Sequence, residues 1–127
     1  MSKTSCTACG ESPADGSSSS SVRGRVASAR ATAALEGGKI LYRGDAYRQT
    51  REAIRKAIAA AAELGARAEG VVRTRILLAP GCDWREAVRA HAEVFAGIDP
   101  ANSTYFVGAL IPEGALVEVE LEAVVDG

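Results

Sequence analysis

The chain is poor in the residues that build most metal and redox sites. It contains three cysteines and a single histidine, His91. Cys6 and Cys9 form one C-x-x-C pair, and no second pair completes the four ligands that a structural zinc site needs. A redox C-x-x-C would open a helix after a strand, and the surrounding residues indicate neither element. We therefore interpret the pair as unstructured thiols and predict no metal site.

The sequence also lacks a surplus of charge of either sign. Fifteen Lys and Arg stand against sixteen Asp and Glu, which gives a net charge of −1. Nucleic-acid-binding domains normally carry a basic surplus, so we expect no nucleic-acid partner. No apolar run approaches the roughly 20 residues of a membrane helix, and residues 1–30 contain no signal-peptide core. We expect a soluble, cytoplasmic protein without a membrane partner.

The 127 residues suffice for one domain, but they divide into two unlike parts. Residues 1–34 are rich in Ser, Ala, Gly and Arg, with an unbroken serine run at 17–21. Such a stretch buries too little apolar surface to offset its ordering entropy, so we predict a disordered or atypical segment. Recruitment of residues 25–35 as an edge strand remains an alternative. We place the folded domain at residues 35–127.

Two amphipathic helices are predicted in the second part. The first runs from the N-cap Asp45 to about Leu64, and the second begins at Asp83, forms a capping box with Glu86 and ends at Gly97. Apolar residues recur at helical spacing in both: Ile54, Ala57, Ile58, Ala61 and Leu64 in the first, and Trp84, Ala87, Val88, His91, Val94 and Phe95 in the second. We interpret His91 as a core histidine rather than a catalytic one.

Three strands are predicted at residues 71–79, 103–110 and 115–125, and the last shows the clearest alternation. Its apolar side chains, and those of the first strand, are expected on one side of a sheet: Val117, Val119, Leu121 and Ala123, with Val72, Thr74, Ile76 and Leu78. The other side would carry Glu118, Glu120, Glu122, Arg73 and Arg75. The pattern predicts an α+β fold in which two helices cover one face of a small mixed sheet. The charged face is left for water or for an interface between chains.

Several segments resemble the reactive-intermediate deaminase family, also called Rid, YjgF or L-PSP. The resemblance covers about residues 36–125 and rests on 44–51 (GDAYRQTR), 64–66 (LGA), 71–74 (VVRT), 100–104 (PANST) and 111–120 (IPEGALVEVE). It implies a chorismate-mutase-like fold assembled as a homotrimer, with ligand pockets between subunits. It also implies hydrolysis of small enamines and imines to keto acids and ammonia without a cofactor.

The resemblance assigns site residues as well. Members of the family use a glutamate of the last strand to handle the attacking water, and this position corresponds to Glu118. Their arginine, which binds the substrate carboxylate, corresponds to Asn102, which can donate a hydrogen bond but carries no charge. Thr104 and Tyr105 adjoin this segment as further substrate-binding candidates, and Tyr105 could instead fill the core. This departure indicates a divergent subgroup.

Another cation could replace the missing arginine. Arg73 and Arg75 are predicted on the same face as Glu118, where they would either bind a substrate carboxylate or form ordinary cross-strand ion pairs with glutamates. Three functions follow from the sequence: a hydrolase of imines or enamines, a non-catalytic trimer that binds a small metabolite, and, least favoured, a ribonuclease.

Overall fold

The computed structural model describes residues 25–32 and 35–125, so the expectation for residues 1–24 lies outside the described part of the chain. The elements in chain order are β1 Arg25–Thr32, β2 Leu35–Glu36, β3 Lys39–Ile40, α1 Ala46–Ala62, a 3₁₀ turn Ala68–Gly70, β4 Val71–Leu78, α2 Trp84–Val94, β5 Ala101–Phe106 and β6 Val117–Val125. Two helices and a mixed sheet confirm the predicted α+β class.

Four strands form the main sheet in the order β1-β6-β4-β5. The β1–β6 and β6–β4 pairs are antiparallel and β4–β5 is parallel, while β2 and β3 form a separate hairpin. The edge strand that the sequence left as an alternative is present, since β1 pairs with β6 along its length. Among the described residues, the sheet thus includes Arg25–Thr32, which lie before the boundary placed at residues 34 and 35.

The last strand alternates as predicted. Its odd-numbered residues from Val117 to Ala123 are buried, and the three glutamates between them are partly exposed. In β4 the prediction for Val72 is wrong: Val72 is 49% exposed and Val71 is buried in its place. A register shift in the pairing of β4 with β6 between Val71 and Arg73 reverses the alternation at this end of the strand.

Helix α1 packs against β1, β6 and α2 through small side chains, among them Ala53, Ala57 and Ala61, which are at most 2% exposed. Asp45 caps its start by accepting a hydrogen bond from the Arg48 amide at 2.9 Å. The helix ends at Ala62, before the predicted end at Leu64. Leu64 therefore lies beyond the helix and is 50% exposed rather than part of its buried stripe.

Helix α2 begins after Asp83, whose side chain accepts from the Arg85 amide at 3.1 Å. The Glu86 carboxylate, which the sequence assigned to a capping box, pairs with Arg89 at 2.7 Å. Trp84 is also misassigned to the buried face. It is the first residue of the helix and is exposed, with the Arg85 guanidinium 4.6 Å from its ring centroid.

Strand β5 begins at Ala101, earlier than the predicted residue 103, and ends at Phe106 rather than 110. Its parallel pairing with β4 explains why it starts at Ala101. Ala101 pairs with Arg73, and the pairing continues residue by residue to Phe106 and Leu78. The pairing ends at Leu78, the last residue of β4, and Val107 still donates to the Leu78 carbonyl at 2.9 Å.

The fully buried side chain of Gln49 joins α1 to two loops. Its amide nitrogen lies 3.2 Å from each of the carbonyl oxygens of Leu41, Tyr42 and Gly114. Its oxygen accepts from the Leu116 amide at 2.9 Å. Gln49 thus fixes the segment that leads into β6, and with it the start of the strand that carries Glu118.

Candidate functional site

The helices cover one side of the main sheet, and we call the opposite side the open face. Strand pairing aligns its side chains in rows across the sheet: Glu118, Leu77 and Tyr105 form the first row, Arg30, Glu120, Arg75 and Ser103 the second, and Ser28, Glu122, Arg73 and Ala101 the third. Successive rows lie about 7 Å apart along the strands. Four of the six predicted site residues, Glu118, Arg73, Arg75 and Tyr105, therefore share this face.

A clamped carboxylate lies at the centre of the open face. Glu120 binds Arg75 of β4 at 2.6 Å through Oε1 and Arg30 of β1 at 2.7 Å through Oε2. The Glu120 side chain is only 19% exposed, whereas those of Arg75 and Arg30 are 33% and 66% exposed. The Arg75–Glu120 contact is the ordinary cross-strand ion pair that the sequence left as one reading of these arginines.

A shallow depression of about 450 Å³ lies over the second and third rows. Its lining includes Arg30, Arg73, Arg75, Glu120 and Glu122. The size falls in the range of pockets that hold small metabolites. The structure records no ion pair for Arg73 within the described residues, so one of the three cations is uncommitted there.

Glu118 and Tyr105 occupy the first row, with Leu77 of β4 between them. Tyr105 is 44% exposed and Glu118 is partly buried. Arg75 lies one row from Glu118, about 7 Å along the strand, and Arg73 lies two rows away, about 14 Å. Arg75 is therefore the nearer of the two cations to the predicted water-handling carboxylate.

The other two predicted site residues, Asn102 and Thr104, lie on the helix-covered side of the sheet. Asn102 pairs with Thr74, a fully buried residue of β4, and donates from Nδ2 to Thr74 Oγ1 at 2.9 Å. Its Oδ1 accepts from the Thr104 hydroxyl at 2.7 Å. The structure therefore divides the predicted site: within one chain, Asn102 and Thr104 face away from Glu118 and the arginines.

Thr74 also contacts His91 of α2, with 2.8 Å between Oγ1 and Nε2. The His91 ring packs on Phe95, 4.8 Å between centroids, and its partial burial lowers the pKa of the imidazole. The expectation that His91 belongs to the packed interior is consistent with these contacts. The link from His91 through Thr74 to Asn102 was missed, because Thr74 was grouped with the apolar residues of its strand. A threonine in an otherwise aliphatic series was the available signal.

Within the described residues, no group of three or more His, Cys, Asp or Glu side chains is placed to hold a metal ion. Cys82 is buried, and burial raises the pKa of its thiol. The described helices include none long and apolar enough to span a bilayer.

Comparison with known proteins places the chain in a family. The sequence profile described as Endoribonuclease L-PSP matches residues 15–125, beginning earlier than the segments that carried the resemblance. An uncharacterized protein of Streptomyces coelicolor is 39% identical over 92 residues, which cover 72% of this chain and 69% of the relative.

Solved structures agree with the profile. A member of the YjgF/YER057c/UK114 family from Mycobacterium tuberculosis is 39% identical, with a TM-score of 0.64 over 76% of this chain and 75% of that protein. A protein of unknown function of the conserved Rid family from Yersinia pestis is 34% identical, with a TM-score of 0.61 over 69% of each chain. The chain belongs to the YjgF/Rid family, whose sequence profile is described as Endoribonuclease L-PSP.

Proposed function

We propose that this protein is a cofactor-independent hydrolase of small reactive imines or enamines, releasing a keto acid and ammonia. The chain belongs to the YjgF/Rid family, and its resemblance to the deaminases of that family implies this class of activity. The observation that carries the proposal is the position of Glu118. By the resemblance, Glu118 corresponds to the water-handling glutamate of the family, and its side chain shares the open face with Arg73 and Arg75, which could bind an anionic substrate.

A site that uses both Glu118 and Asn102 requires two copies of the chain. The two residues lie on opposite sides of the sheet, on strands β6 and β5, which are separated by β4. A cleft between neighbouring subunits can join the open face of one chain to the β5 edge of the next. This requirement favours the homotrimer with intersubunit clefts that the resemblance implies.

The substrate carboxylate needs a positive charge that Asn102 does not supply. Arg75 is the better candidate, because it lies one row from Glu118 and only Nη1 of its guanidinium contacts Glu120. Arginine carries five N–H donors, so other donors remain for a ligand. In this arrangement Arg75 supplies charge and Asn102 supplies a neutral hydrogen bond.

The chemistry requires little from the protein beyond placement. The imine carbon is electrophilic, and water adds to it while Glu118 accepts a proton from that water. The proton passes to the nitrogen, the carbon–nitrogen bond of the resulting carbinolamine breaks, and ammonia leaves as the carbonyl forms. An enamine substrate reaches the same path after protonation at carbon gives the imine.

The test is release of ammonia and keto acid from freshly generated 2-iminopropanoate, measured against the uncatalysed rate. We expect Glu118→Gln to lower kcat about 100-fold, the scale of general-base catalysis. Glu63→Gln is the matched control, since Glu63 is an exposed C-cap residue of α1. Arg75→Gln is expected to raise KM about tenfold or more, the cost of a charged hydrogen bond, and Arg73→Gln less. No turnover by the assembled wild-type protein would reject the proposal.

A metabolite-binding protein without catalytic activity is the second candidate. Asn102 favours it, because a neutral amide already bonded to Thr74 and Thr104 offers weaker carboxylate binding than an arginine fork. Saturable binding of pyruvate without turnover of 2-iminopropanoate would favour this candidate. The ribonuclease named in the family description is less favoured, since the chain has no basic surplus. Salt-sensitive RNA binding at micromolar protein would revive it.

A further inference from the structure

The side-chain amide of Asn102 is held at both of its ends. Its oxygen can only accept, so the proton of that contact comes from the Thr104 hydroxyl. Its nitrogen donates one proton to Thr74 Oγ1. Turning the amide over would exchange donor and acceptor at both contacts. The orientation that the structure shows leaves one N–H of Asn102 uncommitted among the described residues.

The hydroxyl of Thr74 has a single proton, and the protonation of His91 Nε2 sets whether that proton is donated to the ring. Thr74 Oγ1 accepts from Asn102 and lies 2.8 Å from His91 Nε2. When Nε2 is unprotonated, the hydroxyl donates to it and accepts from Asn102, so every contact has one donor and one acceptor. Thr74 is fully buried, so a hydroxyl proton without a partner there would be costly. The neutral imidazole with its proton on Nδ1 therefore favours the observed amide orientation.

Asn102 is the last residue of the hydrogen-bonded series His91–Thr74–Asn102, and it lies at the edge of the sheet. Asn102 is exposed on β5, the edge strand, whereas Thr74 is fully buried on β4 and His91 is partly buried on α2. An amide N–H presented at such an edge can donate to an oxygen of a carboxylate or a keto group. An amide turned the other way would present its oxygen there and repel the same ligand.

We propose that Thr74 and His91 are positioning residues that fix the Asn102 amide with an N–H directed to a ligand carboxylate or keto oxygen. The proposal rests on the proposed function only for the identity of the ligand. Thr74 and His91 would determine ligand specificity through Asn102 alone, without Glu118 or the open-face arginines.

The test follows the Asn102 side-chain amide in nitrogen-15 spectra of the full-length protein titrated with pyruvate, a keto acid. In the wild type we expect pyruvate to shift the Asn102 amide protons. Thr74→Val, which replaces the hydroxyl by a methyl of similar size, is expected to weaken pyruvate binding about tenfold, or 1.4 kcal/mol. Thr74→Ser is expected to restore binding to within about threefold. His91→Phe keeps a ring against Phe95 and should weaken binding in the same direction.

Thr50→Val is the matched control, because Thr50 is also fully buried but its hydroxyl donates within α1 to the Ala46 carbonyl at 2.7 Å. Equal pyruvate affinity in Thr74→Val and Thr50→Val would overturn the proposal. Absence of any pyruvate-induced shift at Asn102 in the wild type would also overturn it. In turnover assays, Thr74→Val should raise KM and leave kcat within about twofold. Pyruvate binding that depends on Thr74, without turnover, would reject the hydrolase and retain the positioning role.

Discussion

Arg75 and Glu120 face each other across β4 and β6, with 2.6 Å between Nη1 and Oε1. Glu120 also holds Arg30 of β1, so one carboxylate joins three adjacent strands. The contact fixes the guanidinium of Arg75 one row from Glu118. It gives the open face an ordered charge pattern rather than a set of mobile side chains.

Replacing that carboxylate tests its contribution to the fold. Glu120→Gln removes the charge from both contacts, and we expect the free energy of unfolding to fall by about 1–2 kcal/mol, because Arg30 is largely solvent-exposed and contributes little. Urea denaturation measures the change. Glu63→Gln, on the exposed end of α1, is expected to stay within about 0.5 kcal/mol of wild type. Equal effects of the two variants would show that the contact does not stabilise the sheet.

Gln49 makes a second, more buried connection. Gln49→Leu keeps the size of the side chain but removes its hydrogen bonds. The backbone N–H of Leu116 loses its acceptor, and the backbone carbonyls of Leu41, Tyr42 and Gly114 lose their donor. We expect a loss of about 2–4 kcal/mol, since buried groups lose their hydrogen bonds. Thr50→Val on the same helix should cost about 1 kcal/mol or less, and a Gln49→Leu variant as stable as this control would contradict the prediction.

Two glycines without strained backbones provide a matched test of close packing. A methyl group on Gly70 would lie 2.7 Å from the Val124 carbonyl oxygen, whereas one on Gly108 would meet no heavy atom within 4 Å. Gly70→Ala is expected to lower the free energy of unfolding by about 1–3 kcal/mol. Gly108→Ala should be neutral or slightly stabilising, because it restricts the unfolded chain. Thermal denaturation measures the free energy of unfolding of both variants. Equal losses in Gly70→Ala and Gly108→Ala would argue against the close approach of residue 70 to β6.

Stability should depend on pH through His91. Burial lowers the pKa of the folded imidazole below its ordinary 6.5, so the unfolded chain takes up a proton at higher pH than the folded chain. The free energy of unfolding should therefore fall as pH drops through about 6.5 and level off below the folded-state pKa. Urea denaturation between about pH 7.5 and pH 5.5 should show a larger fall in wild type than in His91→Phe. Identical falls in both proteins would contradict this assignment.

Much of the fold follows from the sequence because its signals are local. The caps at Asp45 and Asp83 correspond to the observed helix starts, and the predicted alternation of the last strand is observed, although the strand starts at Val117 rather than at residue 115. The errors arise where tertiary pairing overrides local pattern. The register shift exposes Val72, and the parallel pairing with β4 sets the bounds of β5.

The candidate site was predicted less completely. The alternation of β4 and β6 correctly placed Arg73, Arg75 and Glu118 on one side of the sheet. It gave no information on which side β5 would present Asn102, because that depends on the register of a parallel pair. The contact between Thr74 and His91 joins residues of different elements, and spacing along the chain does not reveal it.

The most direct test of the central claim, a catalytic cleft shared by two chains, is complementation between inactive variants. Glu118→Gln and Asn102→Ala are each expected to lose most turnover of 2-iminopropanoate. When the two chains are co-expressed and assemble at random, about one cleft in four should combine an intact Glu118 with an intact Asn102 from the neighbouring chain. The account predicts recovery to about a quarter of wild-type activity. Activity no higher than that of the separate variants would contradict a site built from Glu118 of one subunit and Asn102 of the next.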